Sequence, residues 1–89
     1  SGLNDEQKLG SYLSYMRNND VKVGGRLFRV QGYDIRIFNA DTYDLLKTYR
    51  RDILTSDGVI ENVWRCGEET FTATQMRLKV EGATGLKVA

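Results

Sequence analysis

The residues of this chain with most chemistry to offer are its basic side chains. Lys22, Arg26, Arg29 and Arg36 fall within one short stretch, Arg50 and Arg51 are adjacent, and Arg65, Arg77 and Lys79 follow. Guanidinium groups pair with phosphates and carboxylates, and beside exposed aromatics on a sheet they read single-stranded nucleic acid. The overall balance pulls the other way. Thirteen Lys and Arg face twelve Asp and Glu, a formal charge of +1, whereas dedicated nucleic-acid binders are usually far more basic.

Covalent and acid–base chemistry has little material. The chain has no histidine, which removes the commonest general base, metal ligand and pH switch. Cys66 is the single cysteine, so no internal disulfide forms and no imidazole activates the thiol. In a strand beside aromatics it reads as a small buried hydrophobe. Glu68-Glu69 reads as a solvated turn, and EF-hand, P-loop and G-x-G-x-x-G spacings are absent. The sequence therefore offers no catalytic residue, metal site, cofactor or small-molecule substrate, and it points to binding.

Positioning these residues falls to a small domain spanning 1–89, with 40% apolar residues and one Trp, five Tyr and three Phe. That is enough to fold around one modest core. Its centre is Gly24 to Phe38. A two-residue turn at Gln31-Gly32 sets Val30 opposite Tyr33 and Arg29 opposite Asp34. One face then carries Phe28, Val30, Tyr33, Ile35 and Ile37, and must be covered. The other carries Leu27, Arg29, Asp34, Arg36 and Phe38, open to solvent.

A first helix is predicted over 3–19. Asn4 and Gln7 make its capping box, Leu9, Tyr12, Leu13 and Met16 its apolar stripe, Gly10 a close approach to the sheet, and Asn18-Asn19 a left-handed stop. A short strand follows from Asp20, with Gly24-Gly25 a bend or bulge. A second helix is predicted from an Asp41 cap, burying Leu45, Leu46, Tyr49 and Ile53 and ending at Thr55-Ser56-Asp57-Gly58. A second hairpin turns at Gly67-Glu68, pairs Trp64 with Phe71, and continues through Met76, Leu78 and Val80 after a break near Thr74. Residues 81–89 read as a frayed tail or an edge strand. The fold class is α+β in the order αββαββ: a two-layer domain whose antiparallel sheet of four to five strands carries two helices on one face.

Two functions fit. The first is a protein-interaction module, a regulatory, inhibitor or assembly accessory protein of the kind viruses and mobile elements encode. It binds another protein, or itself, through Leu27, Arg36 and Phe38. The alternative is a nucleic-acid binder using Arg26, Arg29, Arg36, Arg50, Arg51, Arg77 and Lys79. The near-neutral charge favours protein. No apolar run approaches the ~18 residues of a membrane span and no signal peptide is visible, although a Ser-Gly start suits a processed chain. A lone cysteine fits a reducing, cytoplasmic compartment.

Overall fold

The computed structural model describes residues 2–88; Ser1 and Ala89, the ends of the predicted domain and tail, lie outside the described residues. Helix α1 spans Asp5–Asn18. Its start is the capping box read from the sequence: Asn4 Oδ1 accepts from the Gln7 backbone N–H at 2.8 Å, and Gln7 Oε1 accepts from the Asn4 N–H at 3.0 Å. Leu9, Tyr12, Leu13 and Met16 are its buried residues. Gly10 makes no close approach, since a Cβ there would meet nothing within 4 Å. The helix ends at Asn19 in an extended conformation, φ −142°, rather than a left-handed one.

Six strands follow without interruption: β1 Val21–Val23, β2 Arg26–Gln31, β3 Asp34–Asn39, β4 Leu45–Ser56, β5 Val59–Cys66 and β6 Glu69–Thr72. They form one antiparallel sheet in chain order, so each pairs with its sequence neighbour. Two-residue turns make four of the five connections. Gly24-Gly25 is such a turn, not a bulge, with φ +57° and +75° and Val23 paired to Arg26. Asp57-Gly58 is another, with φ +51° and +76° and Ser56 paired to Val59. Positive φ at both central residues is the type I′ requirement, and its twist matches that of the strands. Gly67-Glu68 turns as predicted, bringing Cys66 opposite Glu69 and Trp64 opposite Phe71.

The central hairpin turns one residue later than predicted, at Gly32-Tyr33. Gln31 pairs with Asp34, Val30 with Ile35, Phe28 with Ile37, and Arg29 with Arg36 rather than with Asp34. Moving the turn by one residue shifts the register by two, so the strand residues keep their faces. Tyr33 changes from core residue to exposed turn residue, and Gln31 from turn residue to the last residue of β2.

The predicted order fails where the second helix was placed. Leu45–Ser56 is a twelve-residue strand, and only Tyr49 of the proposed stripe is buried. Leu45, Tyr49 and Ile53 fit a helical repeat and an alternating one equally well. Partners on both sides decide for strand: β3 pairs with the first half of β4, with a register shift at Ile37/Phe38, and β5 with the second half. Asn39 Oδ1 accepts from the Asp41 and Thr42 N–H groups, so the stretch read as a helix cap closes a loop.

The C-terminal third also differs from the predicted strand and tail. Residues Ala73–Thr84 form helix α2 instead of a strand and tail. Met76 and Val80 are buried four residues apart, so the apparent break at Thr74 is a change of period from two to about four. Leu86 and Val88 pack against the core. Both helices cover one face of the sheet. Their buried residues cluster with Phe28, Val30, Ile35, Tyr49 and Trp64, with Ile37 and Phe71 alongside.

Candidate interaction surfaces

The uncovered face of the sheet is an arginine surface. Alternation places Lys22, Leu27, Arg29, Asp34, Arg36, Phe38, Arg50, Asp52, Val63 and Arg65 on it. Register puts Arg29 directly opposite Arg36, and Arg50 directly opposite Arg65. Like charges facing across a ladder destabilise it, and acidic neighbours relieve one member of each pair. Arg29 donates to both Asp20 carboxylate oxygens, at 2.9 and 2.7 Å. Arg65 donates to Asp52 Oδ2 at 2.8 Å. The hydrogen bonds from Arg29 and Arg65 hold the Asp20 and Asp52 carboxyls below their ordinary range. Arg36 has no such relief: it is half-buried, and its Nε lacks a hydrogen-bond partner among the described residues.

The residues proposed for protein contact, Leu27, Arg36 and Phe38, do converge here, with Leu27 paired to Phe38. Leu27 is only 2% exposed, however. It lies in its row between Lys22 and Phe38, and the Arg29 guanidinium lies 5.4 Å from the Phe38 ring centroid. Long side chains thus shield an apolar strip on the face without helices. Leu27 is packing, and the surface it was to offer is polar.

The residues of the nucleic-acid alternative scatter over four regions. Arg29, Arg36 and Arg50 share the uncovered face. Arg51 lies on the helix side, its guanidinium 3.9 Å from the Tyr33 ring centroid. Arg77, on α2, is taken up in ion pairs with Asp5 and Glu81. Arg26 and Lys79 instead line a groove.

That groove opens between the sheet and α2 and has a volume of about 390 Å³. Phe28, Ile35, Ile37, Tyr49, Met76 and Val80 supply apolar lining; Arg26, Lys47 and Lys79 supply the charge. No acidic residue lines it, and none of the three cations enters an ion pair among the described residues. Lys79 Nζ lies 5.3 Å from the Phe71 ring centroid and 6.0 Å from that of Tyr49.

A further feature escaped the sequence reading altogether. Residues 50–56 of β4 pair only with β5, because β3 ends its pairing at Tyr49. β6 in turn pairs only with Val63–Cys66. Asp34 closes the junction, its Oδ1 accepting from the Arg51 N–H at 2.9 Å. Beyond it, Ile53 to Asn62 form a two-stranded arm that leaves the body of the sheet. Ile53 and Ile60 lie on one of its faces, Leu54 and Val59 on the other, each a diagonal cross-strand pair. All four are exposed, Val59 at 66% and Ile60 at 71%. The charged residues from Ile53 to Asn62 are Asp57 and Glu61, and neither enters an ion pair among the described residues.

Among the described residues no three Cys, Asp or Glu side chains gather in a way that could hold a metal ion. Nor, among these residues, is any helix long and apolar enough to cross a membrane. No family model, curated protein or solved structure matches the chain.

Proposed function

We propose that this chain is a protein-interaction module of the assembly type, and that the β4–β5 arm is what it presents to its partner. The observation that carries this reading is an apolar ribbon exposed on both faces and unpaired along both edges. A two-stranded hairpin alone is marginally stable in water. Four large apolar side chains on its two faces gain only part of their burial from cross-strand pairing, and leave an apolar surface that a second surface can cover. Free strand edges add main-chain donors and acceptors that another protein can complete. The short edges β1 and β6, three and four residues long, are the blunted kind that discourages unplanned pairing. The long exposed element is the arm.

The test is a photoreactive amino acid at position 60, with position 14 on the exposed side of α1 as control, cross-linked in the protein's own cells. The reading expects discrete protein adducts from position 60 and none from position 14. Equal, diffuse labelling at both positions overturns it.

The arginine face supports a second reading, binding of single-stranded nucleic acid. Arg36 and Arg50 carry no acidic partner among the described ion pairs. This reading expects oligonucleotide affinity that falls linearly on a log–log plot as salt rises, through counterion release. It also expects Arg36→Gln with Arg50→Gln to lower that affinity and flatten the slope. Absence of binding by fluorescence anisotropy at low salt eliminates it.

A further inference from the structure

The arm and the groove are complementary in two independent respects, and one chain cannot bring them together. The arm is apolar with free carboxylates at Asp57 and Glu61. The groove is apolar with unpaired cations at Arg26, Lys47 and Lys79. Both are built on β4 but at opposite ends: Lys47 lies near its start, and Ile53 begins the arm six residues on. At the rise of an extended strand that separation is about 20 Å, and about 30 Å to the turn. A β-strand does not fold back on itself over that distance, so the arm cannot reach its own groove.

We infer that the groove between β2–β4 and α2 receives the arm tip of a second copy of this chain. Ile60 or Val59 enters the apolar lining, and Asp57 and Glu61 meet Lys47, Lys79 and Arg26 at its rim. A groove of about 390 Å³ lies in the range that ligand pockets occupy, about 300–1,000 Å³. That is room for a few aliphatic side chains and not for a folded element. The contact is heterologous, since one copy gives its arm and the other its groove. Repetition of such a contact makes a ring if it closes and a filament if it does not. The inference rests on the proposed role of the arm and adds the identity of the partner.

The experiment uses purified full chain and sedimentation or light scattering over a concentration series. Wild type is expected to form oligomers beyond a dimer, weakening with salt as the charged rim is screened while the apolar part persists. An arm variant, Ile53→Thr with Ile60→Thr, keeps strand propensity and removes the apolar tip; it is expected to be monomeric. A groove variant, Lys47→Glu with Lys79→Glu, is also expected to be monomeric. Lys47→Gln with Lys79→Gln serves as a milder substitute should the first lose its native circular dichroism. Mixed, the two monomeric variants are expected to form a one-to-one dimer and stop there, because only one functional arm and one functional groove are present.

A groove variant that still self-associates overturns the inference in favour of an arm–arm contact. A wild type that stays monomeric at every concentration overturns it too. If that monomer gives position-60 adducts to a different protein, the arm reading stands and only the self-partner is lost. A monomer whose groove takes up a fluorescent fatty acid turns the groove into a site for an amphipathic anion, and likewise overturns the inference.

Discussion

At the scale of single residues, two positions on the uncovered face show how misleading alternation is without the third dimension. Leu27 has solvent-face parity yet is almost fully buried, because Lys22, Arg29 and Phe38 flank it on the same face. Leu27→Ala is therefore expected to cost about 2–5 kcal/mol, as for any core leucine, a large part of the ~5–15 kcal/mol that holds a small domain together. A denaturant melt shifted by less than 1 kcal/mol, on the scale of an exposed site, refutes its burial. Arg36 is the opposite case. It faces Arg29 across the ladder and holds Nε away from any partner. Arg36→Met keeps the aliphatic stem and removes both penalties, so stability is expected to rise, by about 0.5–1 kcal/mol on the scale of cross-strand charge pairs. A loss of stability instead shows that the guanidinium contributes packing. A gain marks Arg36 as a residue kept for something other than folding.

At the scale of elements, the boundary between β6 and α2 rests on one motif. Thr72 Oγ1 accepts from the Gln75 backbone N–H at 3.2 Å, and Gln75 Oε1 accepts from the Thr72 N–H at 2.9 Å. Thr72→Ala is expected to cost about 1 kcal/mol by loss of the cap, read as a lowered midpoint in thermal melts followed at a helix wavelength. An unchanged midpoint shows that packing of Met76 and Val80 alone sets the helix. The same Thr-x-x-Gln motif was present in the sequence, and its counterpart Asn4-x-x-Gln7 correctly opened α1. It went unread because Thr72 stands in an alternating apolar stretch, and a strand reading absorbs it. Asp57-Gly58 went astray likewise: it is a strong hairpin turn, and a helix stop only if a helix precedes it. Local signals made α1, the β2–β3 faces and the Trp64–Phe71 pair legible. β4 was not legible, because its repeat is ambiguous and partners on either side decide it. The arm follows from the lengths of neighbouring strands, a non-local property that no window of sequence contains. Of the proposed site, only the basic residues themselves could be read, and their partition into four regions could not.

At the scale of the whole molecule, the first and last helices are joined by a polar clasp that closes the chain on itself. Arg77 of α2 pairs with Asp5 of α1 and with Glu81. Thr74 donates to Asp5 at 2.7 Å, and the Tyr12 hydroxyl donates to Glu81 while accepting from the Val88 N–H at 3.2 Å. Apart from the Arg77–Glu81 pair, which lies within α2, these contacts join groups about seventy residues apart in sequence, so each opposes the entropy of a long loop. The Thr74 hydrogen bond, then Arg77, holds the Asp5 carboxyl below its ordinary value; the Tyr12 hydrogen bond, then Arg77, does the same for Glu81. A carboxyl with a depressed folded-state pKa binds fewer protons folded than unfolded as pH falls. Its stabilisation is thus present above the ordinary carboxylate range and is lost as pH drops below about 4. Tyr12 is raised, first by burial and then by Glu81, so its contribution holds below about pH 10 and is lost above that. Melting temperature across this range is expected to fall at both ends in the wild type. Arg77→Met should flatten the acid limb, and Tyr12→Phe should flatten the alkaline one together with the share of the acid limb that Glu81 contributes. If both variants instead trace the wild-type profile shifted uniformly downward, the clasp contributes packing alone, and the acid limit of the fold comes from the exposed Asp20 and Asp52 pairs. Because the arm lies on the opposite half of β4 from the groove that α2 walls, loss of the clasp is expected to weaken groove-dependent assembly while leaving the arm intact. An Arg77→Met chain should then behave in mixtures like the groove variant: it supplies an arm to wild type and fails to accept one.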